Sequence, residues 1–449
     1  MKKLRWFGTD GIRGVKFEGI FVPSVLARVG CAFAEYLQEK FSQINKDSLW
    51  VLIGIDTRDS GPAFACALAS GLKERGVNGG YLGVCSSSAL AWLTRYYDAS
   101  FGVMISASHN PAVYNGIKCF DSKGEKLSVE EEMKIELFIE QHLQEEREIN
   151  MLSKDTVTHT QLPYEKTLVS GRNLRGLRVV LDGAHGSLWK FAEHCFNLCG
   201  AQVVSCLGGA PNGNNINEES GVLHPRYLQK AVVKEQADLG FCFDGDGDRV
   251  GVVDHLGNYW NGDHILAVLA QDDSGIVGTV MSNYGLELHC AERGKSFLRV
   301  DVGDRWIAQA LKTRGLRWGG ESSGHIIDND FLSVGDGLWV ALEVSTRFMQ
   351  KEKNAIFPGF VPYPMIQCNV PIDGSFSLTT PQMRSCLRAL HESIAPNIRL
   401  VLRGSGTEPV IRILLEGPCA LDLNVEMERI KDWLFQHAGV KSILESSAA

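Results

Sequence analysis

Three times along the chain an apolar run gives way to a polar, glycine-containing loop and then to a stretch with apolar residues at helical spacing. The first runs from Val51-Leu52-Ile53-Gly54-Ile55 through Asp56-Thr57-Arg58-Asp59-Ser60-Gly61 into residues 63–75. The second runs from Val179-Val180-Leu181 through Asp182-Gly183-Ala184-His185-Gly186 into residues 188–199. The third runs from Gly278-Thr279-Val280-Met281 through Ser282-Asn283-Tyr284-Gly285 into residues 286–293. Gly76, Gly200 and Gly294 follow these stretches and predict helix stops, after which another apolar strand begins. Short buried strands alternating with helices predict α/β layers with parallel strands and right-handed crossovers, and three copies predict three related units.

The segment from Ser128 to Glu148, rich in Glu with Met133, Leu137, Phe138 and Leu143 interspersed, reads as an exposed amphipathic helix with a solvated acidic face. The polar stretch from Asn150 to Gln161 reads as a domain boundary. Beyond Pro358-Gly359 and Pro362 to Pro364 the pattern changes, predicting a smaller α+β domain with a frayed tail from Ser446 to Ala449. The expected domains are therefore residues 1–152, 153–256, 257–364 and 365–449.

Composition narrows the class without naming a chemistry. Of 449 residues, 44% are hydrophobic and 22% charged, a globular balance for a chain too long for one ordinary core. A net charge of -8 gives no support for nucleic acid as the main partner, although an acidic total can hide a local basic pocket. The Met1-Lys2-Lys3-Leu4-Arg5 start lacks the apolar stretch of a signal peptide, because Gly8, Thr9, Asp10 and Arg13 interrupt at once. No run is apolar enough to suggest a membrane span, so the expected location is the cytoplasm. The 12 cysteines are scattered, with no Cys-x-x-Cys pair; Cys195 and Cys199, four apart in a predicted helix, read as buried apolar residues, and most of the twelve as reduced thiols.

Four loops carry candidate chemistry. Asp244-Gly245-Asp246-Gly247-Asp248-Arg249 follows the apolar strand from Leu239 to Phe243. Three carboxylates two residues apart repel one another unless a cation sits among them, and two glycines let the backbone fold tightly enough for all three to converge. Oxygen-only ligands suit a hard ion such as Mg²⁺. An EF-hand would need Gly at the sixth position and Glu at the twelfth, where Arg249 and His255 stand. An aspartyl-nucleophile phosphatase would leave the third Asp unexplained. Ser106-Ala107-Ser108-His109-Asn110-Pro111 follows a second strand; taken alone, a Ser-rich turn before proline is more often plain turn chemistry, and adjacent Ser and His do not make a triad. Lys118 adds a cation shortly afterwards. Gly319-Gly320-Glu321-Ser322-Ser323-Gly324-His325 suits hydrogen bonding to hydroxyls, with a surface turn as the equal alternative. Arg403-Gly404-Ser405-Gly406-Thr407-Glu408-Pro409, with Arg412 beyond, offers consecutive N–H groups, two hydroxyls and two guanidinium groups for a phosphate.

Together the four loops, in this order, resemble the α-D-phosphohexomutase family, and the resemblance covers essentially the whole chain. It implies that Ser108 carries a phosphoryl group and that Mg²⁺ bridges it to Asp244, Asp246 and Asp248. It implies that the loop of Glu321, Ser323 and His325 reads sugar hydroxyls, and that Arg403, Ser405, Gly406, Thr407 and Arg412 bind the distal phosphate. Arg13, His109 and Lys118 join the catalytic set, with Lys118 the candidate general acid or base and His325 the second. Arg249, Asp304 and Arg305 complete the substrate-binding set. The implied architecture is α/β: three related α/β domains with mixed, largely parallel sheets plus a smaller C-terminal α+β domain, around a central cleft. Phe7-Gly8-Thr9-Asp10-Gly11-Ile12-Arg13-Gly14, Ser323-Gly324-His325-Ile326-Ile327, Val302-Gly303-Asp304-Arg305 and Gly335-Asp336-Gly337-Leu338 are similar to the bacterial branch that acts on glucosamine phosphates, from which Ser322 and Gly404 depart. The implied reaction interconverts the 6- and 1-phosphates of glucosamine through a hexosamine 1,6-bisphosphate, supplying amino-sugar nucleotide and cell-wall precursors; glucose or mannose phosphates are the alternative substrates. The family's habit implies a homodimer. A metal-dependent phosphatase and a non-catalytic phosphosugar-binding protein are the competing classes.

Overall fold

The computed structural model describes residues 4–8, 10–43, 45, 48–145, 148–152, 158–350, 359–372, 380–404 and 410–438. Ser405, Gly406 and Thr407 of the fourth loop, and the tail from Ser446, lie outside them. The chain divides into two compact units, one of residues 1–281 with 295–359 and the other of 282–294 with 360–449.

The first unit holds three sheets. Its six-stranded sheet comprises β1 (Phe7–Gly8), β2 (Gly11–Val15), β3 (Trp50–Ile55), β4 (Asn78–Val84), β5 (Phe101–Ile105) and β6 (Tyr114–Asp121), in the order β1-β2-β6-β5-β3-β4. β3 runs parallel to β4 and β5, whereas β6 is antiparallel to β5 and β2. The next sheet comprises β7 (Arg178–Asp182), β8 (Gln202–Leu207), β9 (Leu239–Phe243), β10 (Val250–Asp254) and β11 (Tyr259–Trp260). β7 is parallel to β8 and β9, and β10 turns back antiparallel on β9. The third comprises β12 (Gly275–Thr279), β13 (Ser296–Val300), β14 (Trp318–Gly320) and β15 (Ile326–Asp328), with β12 parallel to β13 and β14 and β15 antiparallel to β14. Each sheet therefore has parallel strands at its centre, as the repeated pattern predicts, and an antiparallel strand added on one side. The predicted helix stops Gly76, Gly200 and Gly294 all have positive φ, at 77°, 89° and 67°, a backbone that glycine adopts without a Cβ penalty.

Phe33, Leu68, Val51, Ile53, Phe101 and Val103 lie in the core of the first sheet, and Val277, Ile307, Leu311 and Ile327 in that of the third. The second unit carries an antiparallel sheet of β16 (Met365–Pro371), β17 (Arg399–Gly404) and β18 (Val410–Glu416), ordered β16-β18-β17. It also takes in the helix Tyr284–Glu292, whose Asn283 cap bonds Tyr363 and whose His289 ring lies against Phe360.

One expectation is corrected. The acidic helix, Val129–Gln144, keeps an exposed side at Glu130, Leu137, Gln141 and Gln144, but its acidic run is not all solvated. Ile135 and Ile139 are fully buried, and Glu132 and Glu136 are buried beside them. Glu136 accepts the backbone N–H groups of Arg5 (2.9 Å), Trp6 (2.5 Å) and Phe7 (2.8 Å), Glu132 pairs with Arg305, and Glu131 closes the Ser128 capping box. Fixed N–H groups and a guanidinium replace the lost water, which makes burial of carboxylates tolerable.

Candidate active site

The chemistry-bearing loops of the first unit occupy equivalent points of its three sheets. The Ser108 loop joins β5 to β6, the aspartate loop joins β9 to β10, and the Glu321 loop joins β14 to β15. Each leaves the carboxyl end of a strand that is parallel to the sheet centre and returns on the antiparallel strand, where α/β sheets commonly hold ligands. Backbone hydrogen bonds knit the loops together: Ser87 N–H donates to Asp246 O (2.9 Å), Val250 N–H to Gly324 O (3.0 Å) and Gly337 N–H to Gly247 O (3.0 Å).

Ser108 is buried and left-handed, with φ 54°, a conformation that costs a non-glycine residue about 1 kcal/mol or more. A cradle holds it there. Arg58, fully buried, donates from Nη2 to Ser108 O (3.1 Å) and Asn110 O (2.8 Å), and from Nη1 to Pro111 O (2.7 Å) and Tyr114 O (2.9 Å). Asp56 anchors the Arg58 Nε (2.9 Å) and accepts from Ser106 Oγ (2.7 Å), which in turn accepts the Ser108 N–H (2.9 Å). Asn217 adds a donor to Ser108 O at 2.9 Å. Ser108 Oγ donates to Asp244 Oδ2 at 2.6 Å and stands 3.3 Å from His109 Nδ1.

Asp244, Asp246 and Asp248 are buried, and one oxygen of each lies within 4.8 Å of the others. Gly247 takes a φ of 71°, and a Cβ on Gly245 would fall 2.6 Å from Ser108 O, so both glycines of the loop are required by its path. Asp246 Oδ1 and Asp248 Oδ1 are buried without a hydrogen-bond partner. Buried carboxylate oxygens left without a hydrogen bond, in a purely oxygen donor set, fit a hard divalent cation. Burial pushes Asp244 well above the usual carboxylate range, and the charges of Asp248 and Asp246 add to the shift.

Lys118 on β6 reaches Asp246 Oδ2 and Asp248 Oδ2, both at 2.7 Å, and Asp10 Oδ2 at 3.0 Å. Burial opposes its charge, but those three carboxylates hold it well above the usual lysine value. His325 stands with Nδ1 3.6 Å from Asp248 Oδ1 and Nε2 3.3 Å from Asp304 Oδ2. Burial opposes its charge, yet the two carboxylates raise it to about 10. His109 goes the other way: burial, then the charges of Arg249 and Arg13, lower it to about 4, so its imidazole is neutral at pH 7.

Of these groups, His109, Asp248 and His325 line a cavity of about 390 Å³, together with Arg13, Arg249 and Glu321 among others. Arg13 donates to Asp10 Oδ2 (2.7 Å) and Asn110 Oδ1 (3.4 Å). Glu321 accepts the Gly303 N–H at 3.0 Å and the Ser323 hydroxyl at 3.2 Å. Arg249 donates its backbone N–H to Asp244 Oδ1 at 3.2 Å, which ties it to the metal loop. Asp304 lines the cavity, but Arg305 does not: its Nη2 is held 2.5 Å from Glu132 Oε1, and it faces a neighbouring groove.

In the second unit Arg403 and Arg412 sit opposite one another on β17 and β18. Burial and the adjacent Arg412 charge lower the Arg403 pKa, the mark of two cations assembled at one place. Sequence reasoning gave no role to Asp56, Arg58, Ser106, Asn217, Asp10 or Lys126. The Asp56-x-Arg58 spacing, in a loop that leaves a strand, was the available signal for the first two; Asn217 and Lys126 offered none, each standing among other polar residues of a loop.

Family models for phosphoglucomutase/phosphomannomutase α/β/α domains I, II and III match residues 4–146, 159–257 and 261–356. The phosphoglucosamine mutase of Acinetobacter baumannii is 40% identical over 427 residues, covering 92% of this chain and 95% of its own. That of Photorhabdus laumondii is 36% identical over 453 residues, covering 98% of this chain and 100% of its own. Among solved structures, a phosphoglucomutase/phosphomannomutase family protein of Burkholderia thailandensis aligns with a TM-score of 0.77 at 21% identity, over 95% of this chain and 97% of its own. The N-acetylphosphoglucosamine mutase of Aspergillus fumigatus, in complex with GlcNAc-6P and magnesium, aligns with a TM-score of 0.64 at 15% identity, over 96% of this chain and 95% of its own.

Proposed function

The chain belongs to the phosphoglucomutase/phosphomannomutase family, and on that premise we propose that it interconverts glucosamine 6-phosphate and glucosamine 1-phosphate. The observation that carries this reading is the Ser108 hydroxyl, fixed in a left-handed turn 2.6 Å from a buried three-aspartate cluster. Phosphoryl transfer asks mainly for positioning and charge stabilisation, which this arrangement supplies. The curated relatives named above all carry the phosphoglucosamine activity in their names, which favours glucosamine over glucose or mannose.

In this reading the resting enzyme carries phosphate on Ser108. Asp244, Asp246 and Asp248 would hold a divalent cation, Mg²⁺ by the chemistry of the donors, which when bound neutralises charge on the transferring group. A sugar hydroxyl attacks the phosphorus and the bond to Ser108 Oγ breaks as the new P–O bond forms; Lys118 or His325, both held protonated by neighbouring carboxylates, gives a proton to the leaving Ser108 Oγ and takes up the one the sugar hydroxyl loses. Arg13 and His109 flank the transferring group, while Arg249, Asp304, Glu321 and Ser323 orient the sugar. Arg403, Ser405, Gly406, Thr407 and Arg412 take the substrate's other phosphate. The bisphosphate turns around, Ser108 recovers the other phosphate, and the product leaves. The location we assign is the cytoplasm, in amino-sugar and cell-wall precursor synthesis, with a homodimer as the assembly and neither nucleic acid nor membrane as partner. Among the described residues no helix is long and apolar enough to cross a membrane.

The test is turnover of glucosamine, glucose and mannose phosphates with Mg²⁺ and a trace of hexose bisphosphate. Preferred conversion of glucosamine 6-phosphate, with Ser108 phosphorylated by intact mass and peptide mapping, is the expected result. Stoichiometric release of inorganic phosphate would make the protein a phosphatase instead.

A further inference from the structure

Lys126 follows β6 and lies two residues before the Ser128 cap of the helix Val129–Gln144. Its ammonium reaches Asp10 Oδ1 at 2.5 Å and pairs with Asp304 Oδ2. Asp10 pairs on its other oxygen with Lys118, Lys118 with Asp248, Asp248 with His325, and His325 with Asp304. The six groups close a ring of alternating sign, Lys126-Asp10-Lys118-Asp248-His325-Asp304. Two members of that ring, Lys118 and His325, are the proton-handling groups of the reaction. Lys126 touches neither; it touches the carboxylates that touch them.

We propose that Lys126 is a positioning residue for phosphoryl transfer, holding Asp10 and Asp304 so that they in turn fix Lys118 and His325. The proposal rests on the mutase reading of the same cavity. Lys126 and Asp304 line both this cavity and a neighbouring one of about 550 Å³, so their ion pair forms part of the wall between the two. Without the ammonium, the carboxylates of Asp10 and Asp304 face each other across that wall with one cation fewer, and their repulsion pulls both from their partners. Burial would raise Asp304, but Lys126, followed by His325, holds it below the usual carboxylate range, in keeping with this dependence. Two further ion pairs span the same gap, Arg305 with Glu132 and Lys312 with Glu125, so the fold does not hang on Lys126 alone.

The experiment compares Lys126→Met, Lys126→Arg and Lys312→Met in the full chain. Lys126→Met should lower kcat and kcat/KM together, by about a hundredfold, as misplacement of catalytic groups does. Lys126→Arg, which keeps the charge and can bridge two carboxylates, should recover most of that loss. Lys312→Met, which cuts a neighbouring ion pair only, should keep wild-type kcat. Wild-type kcat in Lys126→Met, an arginine variant as slow as the methionine one, or an equal loss in Lys312→Met would each overturn the proposal. A urea-unfolding cycle of Lys126→Met with Asp304→Asn reads the ring without turnover; strictly additive stabilities overturn it whatever the activity. A wild-type chain without mutase turnover overturns the reading of the reaction instead, and the unfolding cycle then decides the ring by itself.

Discussion

At the scale of the residue, Ser108 is held where its backbone does not favour it. Its φ of 54° lies in the left-handed region, and Arg58, Ser106 and Asn217 all bond the peptide groups on either side of it. The hydroxyl supplies the chemistry and the strain supplies its direction, so two substitutions separate the contributions. Ser108→Ala and Ser108→Gly should both abolish turnover while the chain still folds. Glycine relieves the left-handed strain that alanine keeps, so Ser108→Gly should be the more stable of the two by about 1 kcal/mol in urea unfolding. Equal stabilities would mean that the turn is not strained; turnover in either variant would remove Ser108 as the phosphate carrier. Its own loop marks Ser108 only as a turn residue, and its role is legible only through the resemblance of the four loops together, since left-handed backbone leaves no mark on a serine and much of the cradle comes from positions 50 and 109 residues away. The aspartates were legible because their repulsion is written into their spacing.

At the scale of the element, the apolar runs and the three glycine stops made the central strands and helices legible, because both signals are local. The antiparallel strands that carry the chemistry were not, since pairing of β5 with β6 or β14 with β15 is a long-range choice that periodicity does not encode. The acidic helix misled for a related reason: Glu136 looks solvated until the chain's first strand region is laid against it, and Glu132 until Arg305 reaches it. Glu136→Ala should leave three backbone N–H groups without their acceptor and cost about 3 kcal/mol in urea unfolding. It should also raise KM, because Trp6 and Gly8 of that strand region line the cavity. A wild-type unfolding midpoint would show the clamp to be dispensable. A second element carries a pH dependence. Asp336 accepts the Trp339 N–H at the start of the helix Gly337–Gln350 and the Tyr164 hydroxyl, yet burial raises it to about 6. Its folded value exceeds the unfolded one of about 3.9, so the native state binds the proton more tightly, and the stability it contributes at low pH is lost as pH rises to about 6. Asp336→Asn removes the charge, so its stability relative to wild type should grow with pH, by up to about 3 kcal/mol, and level off above pH 6. Parallel pH profiles of unfolding would sink this assignment.

At the scale of the whole molecule, each unit has hydrophobic clusters of its own. The second unit draws one from Val370, Leu400, Ile411, Ile413, Leu423, Ile430 and Leu434, all on its own sheet and the segments that cover it. The aspartate cluster belongs entirely to the first unit, whereas Arg403 and Arg412 belong to the second. Separate cores permit separate melting, and a ligand that binds one folded unit stabilises that unit alone. Calorimetry of the full chain should therefore resolve two transitions. Mg²⁺ at about a hundred times its dissociation constant adds about 2.7 kcal/mol to the unit that binds it, and only the larger transition should move. Asp246→Asn removes one donor and part of the charge that attracts the ion, so its larger transition should no longer respond. A Mg²⁺ shift of both transitions together would mean that the units unfold as one, and a shift retained in Asp246→Asn would place the ion elsewhere.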